Sequence, residues 1–225
     1  MRCSRHEFAA APAGAIKMSD DGKIFAFAYD RALYIQDKST SVQKTFVIGG
    51  SSTRLHKIVS LAVDAANREI FVMTSEPTEI LAFPIETEGN VAPLRVIDNP
   101  ALSGSIALSL DPVHNELFVV RSQSSSIQVL KRLANNQGPR SIFSQDVQRT
   151  IQVETNPRGI AYLSKLDQVA VVLENGHIVL HNRVLEPSKN SSISVTEASN
   201  AFVVVSASSK IEWLNRDGSV GEKSF

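Results

Sequence analysis

Two stretches decide the reading of this chain: Val59-Ser60-Leu61-Ala62-Val63-Asp64 followed by Glu69-Ile70-Phe71-Val72-Met73, and Ile106-Ala107-Leu108-Ser109-Leu110-Asp111 followed by Glu116-Leu117-Phe118-Val119-Val120. They are near copies, each an apolar strand, a turn rich in Asp, Asn or Pro, and a second apolar strand. Working outward, the second strand recurs as Lys23-Ile24-Phe25-Ala26-Phe27, Gln168-Val169-Ala170-Val171-Val172 and Ala201-Phe202-Val203-Val204-Val205. With Ile24, Ile70, Leu117, Val169 and Phe202 as equivalents, the spacings are 46, 47, 52 and 33 residues.

A third strand follows each second strand at a step of 9 or 10 residues, from Ile24 to Leu33, Ile70 to Ile80, Leu117 to Ile127, Val169 to Ile178 and Phe202 to Ile211. A constant short step across a polar turn predicts antiparallel hairpins. First strands are expected also at Ile16-Lys17-Met18, Ile160-Ala161-Tyr162 and Ile193-Ser194-Val195. Outer strands are expected at Thr45–Ile48, Leu94–Ile97 and Thr150–Val153, with Arg183-Val184-Leu185 short or absent as a fourth. A period of roughly 40–50 residues built only of strands predicts an all-β, β-propeller fold of five sheet units with up to four antiparallel strands each, as a five-bladed ring or part of a larger one. The chain reads as a single domain over 1–225, with units at approximately 13–50, 51–100, 101–156, 157–190 and 191–225. Residues 133–148 form an excess segment before the outer strand of the third unit, read as a tolerated surface insertion or a binding loop.

Composition narrows the function. Of 225 residues, 43% are hydrophobic and 20% charged, which suits a packed core rather than disorder. The 23 basic and 23 acidic residues cancel, and no basic run appears, which argues against nucleic acid as the partner. No stretch approaches the roughly 18 apolar residues of a membrane helix. The lone Cys3 allows no intrachain disulfide and leaves the compartment open. Phe8 to Ile16, interrupted by Pro12 and Gly14, does not make a signal peptide. The localisation is thus unassigned, and an extracytoplasmic site would require a leader ahead of the given sequence.

Repeats two and three, with Gly89-Asn90-Val91-Ala92-Pro93-Leu94-Arg95-Val96-Ile97, resemble bacterial propeller proteins of the NHL and YVTN groups and, more loosely, lactonase-like propellers. The resemblance implies the fold and a binding surface. By analogy with such folds, ligands are expected at the mouth formed by loops entering the first strands and turns joining strands two and three. Those loops supply the candidate ligand-binding residues His56, Lys57, Glu76, Arg121, Glu154, Asn156, Arg158 and Glu174.

The expected function is a non-catalytic binding or scaffold protein that holds a protein or small-molecule partner and needs no cofactor. The alternative is a metal-dependent, lactonase-like hydrolase with one divalent metal ion held by oxygens from Glu76, Glu154, Asn156 and Glu174. No G-x-S-x-G, P-loop or G-x-G-x-x-G motif occurs. His177 and His181 flank a strand, where four residues span about 13 Å, too far apart to share an ion. The recurring Phe25, Phe71 and Phe118, and Trp213, are read as core.

Overall fold

A computed structural model describes residues 15–133, 141–143, 147–153, 156–164, 168–174, 178–180, 183–185, 196–198, 201–205, 210–215 and 220–224. The described residues form five sheets in chain order and no α-helix. Sheet one runs β1 (Ala15–Met18), β2 (Ile24–Tyr29), β3 (Ala32–Asp37), β4 (Lys44–Gly49). Sheet two is β5 (Lys57–Asp64), β6 (Glu69–Ser75), β7 (Glu79–Pro84), β8 (Arg95–Asp98). Sheet three is β9 (Ser105–Asp111), β10 (Glu116–Arg121), β11 (Ser126–Lys131) and, after an insertion carrying β12 (Ser141–Phe143), β13 (Arg149–Gln152). Sheet four is β14 (Pro157–Leu163), β15 (Gln168–Leu173), β16 (Ile178–Leu180), β17 (Arg183–Leu185). Sheet five is β18 (Thr196–Ala198), β19 (Ala201–Val205), β20 (Lys210–Asn215), β21 (Val220–Ser224). Apart from β12, neighbouring strands are antiparallel, and none of the sheets closes on itself.

The uninterrupted apolar second strands follow from burial on both faces. Successive side chains on a strand point to opposite faces. On β6, Ile70 and Val72 enter a core with Ile24, Ala26, Leu33 and Ile35 of sheet one. Phe71 and Met73, one residue out of phase, enter a second core with Leu108, Leu117 and Val119 of sheet three. On β10, Phe118 and Val120 turn the other way, onto Ile160, Tyr162 and Val171 of sheet four. Sheets one to four therefore stack face to face in chain order, and their first strands β1, β5, β9 and β14 are successive neighbours. Phe71 and Phe83 are fully buried, each contributing about 1.5–3 kcal/mol of transfer free energy. Phe25 is only half-buried and packs tilted on Phe27 at 6.0 Å, so it departs from the core role expected of it.

Two differences from the sequence reading have physical causes. The first strand expected at 193–195 lies outside the described residues; the described strand is Thr196–Ala198, set by the pairing of Ala198 with Ala201 across a two-residue turn. The 133–148 segment is more than a surface insertion, because Ser141–Phe143 pairs in parallel with Arg95, Val96 and Ile97 at the outer edge of sheet two. A shorter version joins sheets one and two: Gly89 N–H donates to the Val47 carbonyl (2.7 Å), and the Gly89 carbonyl accepts from Gly49 N–H (3.1 Å). Gly50 must be glycine beside it, since its φ is +124° and an added Cβ would lie 2.6 Å from Asn90 Cγ.

Ionic contacts lock the stack. Arg68 of sheet two pairs with Asp37 of sheet one and with Glu86 at 2.6 Å. Arg132, only 5% exposed, reaches from sheet three to Asp64 (3.0 Å) and Glu69 (3.1 Å) of sheet two. Within sheets two and three one motif repeats: Arg95 sits over Phe71 and pairs with Glu69 at 2.5 Å, and Arg149 sits over Phe118 and pairs with Glu116 at 2.5 Å.

Burial alone would raise the Asp37 carboxyl, but the Arg68 guanidinium and hydrogen bonds from Ser39 override it and bring it down to about 2. A carboxyl depressed in the folded state stabilises above its unfolded value near 4, and that contribution is lost as the pH falls toward 2. Urea unfolding should show Arg68→Ala about 2 kcal/mol less stable than wild type at pH 6, with the gap closing between pH 4 and pH 2. A gap that does not vary with pH would mean that Asp37 is not the partner that matters.

Candidate functional site

Where the first strands end and turn into the second strands, they enclose a cavity of about 210 Å³. Its wall is built of one piece from each of four sheets: Lys17 of β1, Ala62 and Val63 of β5, Ser109 and Leu110 of β9, and Tyr162 of β14. The following turns add Asp20, Asp21, Ala65, Ala66 and Pro112. Small side chains at Ala62 and Ser109 leave the space open. Serine hydroxyls hold the walls together, with Ser60 Oγ accepting from Leu108 N–H at 2.9 Å and Ser109 Oγ accepting from Tyr162 N–H at 2.8 Å. These bonds replace a ladder between adjacent sheets and satisfy amides that the sheets leave over.

Lys17 is the unusual member. It faces Ala26 in the β1–β2 register. Counted from the turns, where the Lys38, Ile85 and Arg132 amides donate to the Lys23, Arg68 and Asn115 carbonyls, the same position holds Ala62 opposite Phe71, Ser109 opposite Phe118 and Ala161 opposite Ala170. A long charged side chain therefore stands where three other sheets place a small one. Desolvation lowers the Lys17 ammonium below its ordinary range, and the charge of Asp20 only partly opposes this. Among the described residues no hydrogen bond or ion pair holds it.

The nearby carboxylates differ in how far they are engaged. Asp21 accepts from the Ser19 hydroxyl (2.6 Å) and the Lys23 amide (3.1 Å). Desolvation pushes its carboxyl up, but the Ser19 and Lys23 interactions outweigh this and leave it below the usual range. Asp20 is exposed at the rim.

The residues expected from sequence lie at the opposite ends of the first strands, about 20 Å away along strands of seven or eight residues. His56 and Lys57 are exposed at the start of β5, and the Lys57–Ser75 pairing sets them beside the turn that carries Glu76. Arg121 donates from Nε to the Ser103 carbonyl at 3.0 Å, within its own sheet. Asn156, Arg158 and Glu174 do come together. Asn156 Nδ2 donates to Glu174 at 3.0 Å and the Arg158 guanidinium pairs with the other carboxylate oxygen. Hydrogen bonding from Asn156, then from Arg158 and its charge, lowers the Glu174 carboxyl.

Glu154 lies outside the described residues, as do His177, His181 and Cys3. Sequence reading missed a further rim pair, Arg54 with the buried Glu79, whose hydrogen bonding raises the guanidinium against desolvation. In sheets two, three and four the rim charges thus fasten the end of the strand-two-to-three hairpin to the loop entering the same sheet. None of the seven described candidates lines the cavity. Among the described residues no group of three His, Cys, Asp or Glu side chains is placed to hold a metal ion.

The cavity presents one ammonium without an ion-pair partner, two carboxylates, a hydroxyl and a phenol beside aliphatic walls. No nucleophile–base pair stands among its lining residues. Compared with known proteins, the chain matches no family model and no curated relative. No helix among the described residues is long and apolar enough to cross a membrane.

An ammonium that is desolvated without a partner costs stability. Lys17→Met should therefore raise the melting temperature of the ligand-free protein by about 2–4 °C, the equivalent of about 1 kcal/mol in a chain of this length. A drop of similar size in scanning calorimetry would show instead that Lys17 supports the fold.

Proposed function

We propose that the five sheets are the blades of a propeller, and that the protein is a non-catalytic binding protein which holds a small organic acid at one end of the central channel. The observation that carries this reading is Lys17, an unpaired cation at a position where the other first strands carry the small residues Ala62, Ser109 and Ala161. A carboxylate would give Lys17 the direct ion pair that neither Asp20 nor Asp21 of the cavity wall makes with it, in surroundings where charge-assisted hydrogen bonds are strong. The aliphatic walls formed by Ala62, Val63 and Leu110 suit an apolar remainder of the ligand, and about 210 Å³ admits one small molecule.

Two features support the ring. The first strands of sheets one to four are neighbours in sequence order, as blades around an axis are. Sheet one also buries Ile24, Ala26 and Ala28 on one face and leaves Phe25, Phe27 and Tyr34 half-buried on the other, the face that a fifth blade would cover on closure. A closed monomer of this length has a radius of gyration of about 17 Å.

Thermal unfolding with benzoate, glutarate and L-leucine at 1–10 mM tests the reading. At about 100 times its dissociation constant a ligand stabilises by about 2.7 kcal/mol, a rise of roughly 5–10 °C. We expect at least one carboxylate to give a saturable rise in the wild type that Lys17→Met abolishes while Glu174→Gln retains it. A rise that depends on Glu174 and not on Lys17 would move the site to the opposite mouth, and no rise with any of the three would remove the small-acid reading.

A further inference from the structure

The outer edges of the first two sheets are capped in the same way by chain from the sheet that follows. In sheet one, the residue opposite Ile48 is Gly89, bonded in parallel to the Val47 carbonyl and the Gly49 amide. In sheet two the equivalent residue is Ile97, and Phe143 stands opposite it on the parallel strand β12. Both caps come from the connection between the third and fourth strands of the next sheet. That connection is long in each case, running from Pro84 to Arg95 and from Lys131 to Arg149.

Sheet three has the same edge without the cap. Its outer strand β13 pairs on one side with β11, and among the described residues no strand pairs with the other side. Sheet four does not supply the cap by this route, because β16 and β17 join in a tight hairpin, Leu180 opposite Arg183, with only two residues between them. The orientation of the free groups follows from the ladder. Val153 N–H donates to the Ser125 carbonyl at 3.0 Å. Inward and outward amides alternate in an antiparallel pair, so residues 149 and 151 turn inward and Thr150 and Gln152 outward.

By register, Thr150 and Gln152 are the counterparts of Val47 and Gly49, the two residues that bind Gly89 in sheet one. Bare edges are liabilities that natural proteins usually block with charge, bulges or proline. Beyond Arg149, whose charge is engaged by Glu116, β13 carries none of these.

We propose that the outer edge of β13 is a docking site for an extended segment of a partner polypeptide, which adds in parallel as a further strand of sheet three. The residue opposite Ile151 donates its N–H to the Thr150 carbonyl and accepts from the Gln152 N–H. It is uncharged and is flanked by small polar and aliphatic residues, after the pattern Ser141-Ile142-Phe143 that occupies the neighbouring edge.

A nonapeptide with the sequence of residues 138–146, Gly-Pro-Arg-Ser-Ile-Phe-Ser-Gln-Asp, is the probe, added to the uniformly 15N-labelled full chain. Saturable amide shifts centred on Thr150, Ile151 and Gln152 are expected, with none from a scrambled peptide. Gln152→Pro removes an outward donor at an edge position that tolerates proline and should weaken binding at least tenfold. Should that variant fail to fold, N-methylation of the peptide at its Phe blocks the same bridge on the wild-type protein, with the same tenfold loss expected. Shifts confined to Arg95–Asp98, no shifts at all, or undiminished binding of the N-methyl peptide would each overturn the proposal.

Discussion

The arrangement of this protein depends on one buried guanidinium. Arg132 leaves the end of sheet three and enters sheet two, where Asp64 and Glu69 take its charge, while Asn115 accepts from Nε and the terminal nitrogen at 3.1 and 2.8 Å. Asp64 is itself buried, and it also accepts from the Asn67 amide, which shapes the turn beside the cavity. A buried charge stripped of its partner costs about 3–5 kcal/mol, so the two sheets can meet in only one relation that satisfies all four groups. Hydrophobic contact between Phe71, Met73, Leu117 and Val119 supplies most of the favourable free energy at this seam but little direction. The ionic set supplies the direction. Arg68 with Asp37 does the same one sheet earlier.

Fixing the angle between sheets fixes what their first strands enclose. β1, β5, β9 and β14 come together at one end with small residues inward, and the serine-to-amide bonds from Ser60 and Ser109 keep them from sliding. The cavity is therefore a consequence of the stacking rather than of any single loop. Its one charged strand residue, Lys17, stands at a site that the neighbouring sheets fill with the small residues Ala62, Ser109 and Ala161. A position that breaks the local rule at a cost in stability marks the place where function departs from folding.

Much of this was legible from residue order alone. The two-face burial of β6 and β10 shows as unbroken apolar runs, and the hairpins show as constant steps, because both are local. Lys17 was not, since it stands out only once strand register aligns it with Ala62, Ser109 and Ala161. The capping role of Ser141–Phe143 was not, since parallel addition to Arg95–Ile97 joins segments some 46 residues apart and has no periodic signature. Nor was the Arg132 cluster, whose partners belong to a different repeat. The partners of the mouth residues were not legible either, because sequence cannot say whom a loop charge faces; Glu174 meets Asn156 and Arg158, while Arg121 turns to a backbone carbonyl of its own sheet.

The most direct test of the binding account is the titration of Lys17 itself, followed by NMR through its 13Cε chemical shift with and without a saturating carboxylate. The account predicts an ammonium titrating below the ordinary lysine range in the free protein and moving upward when the carboxylate binds, because the ligand supplies a direct ion-pair partner. A Lys17 that titrates at the ordinary value, or whose titration is the same in both samples, would contradict it.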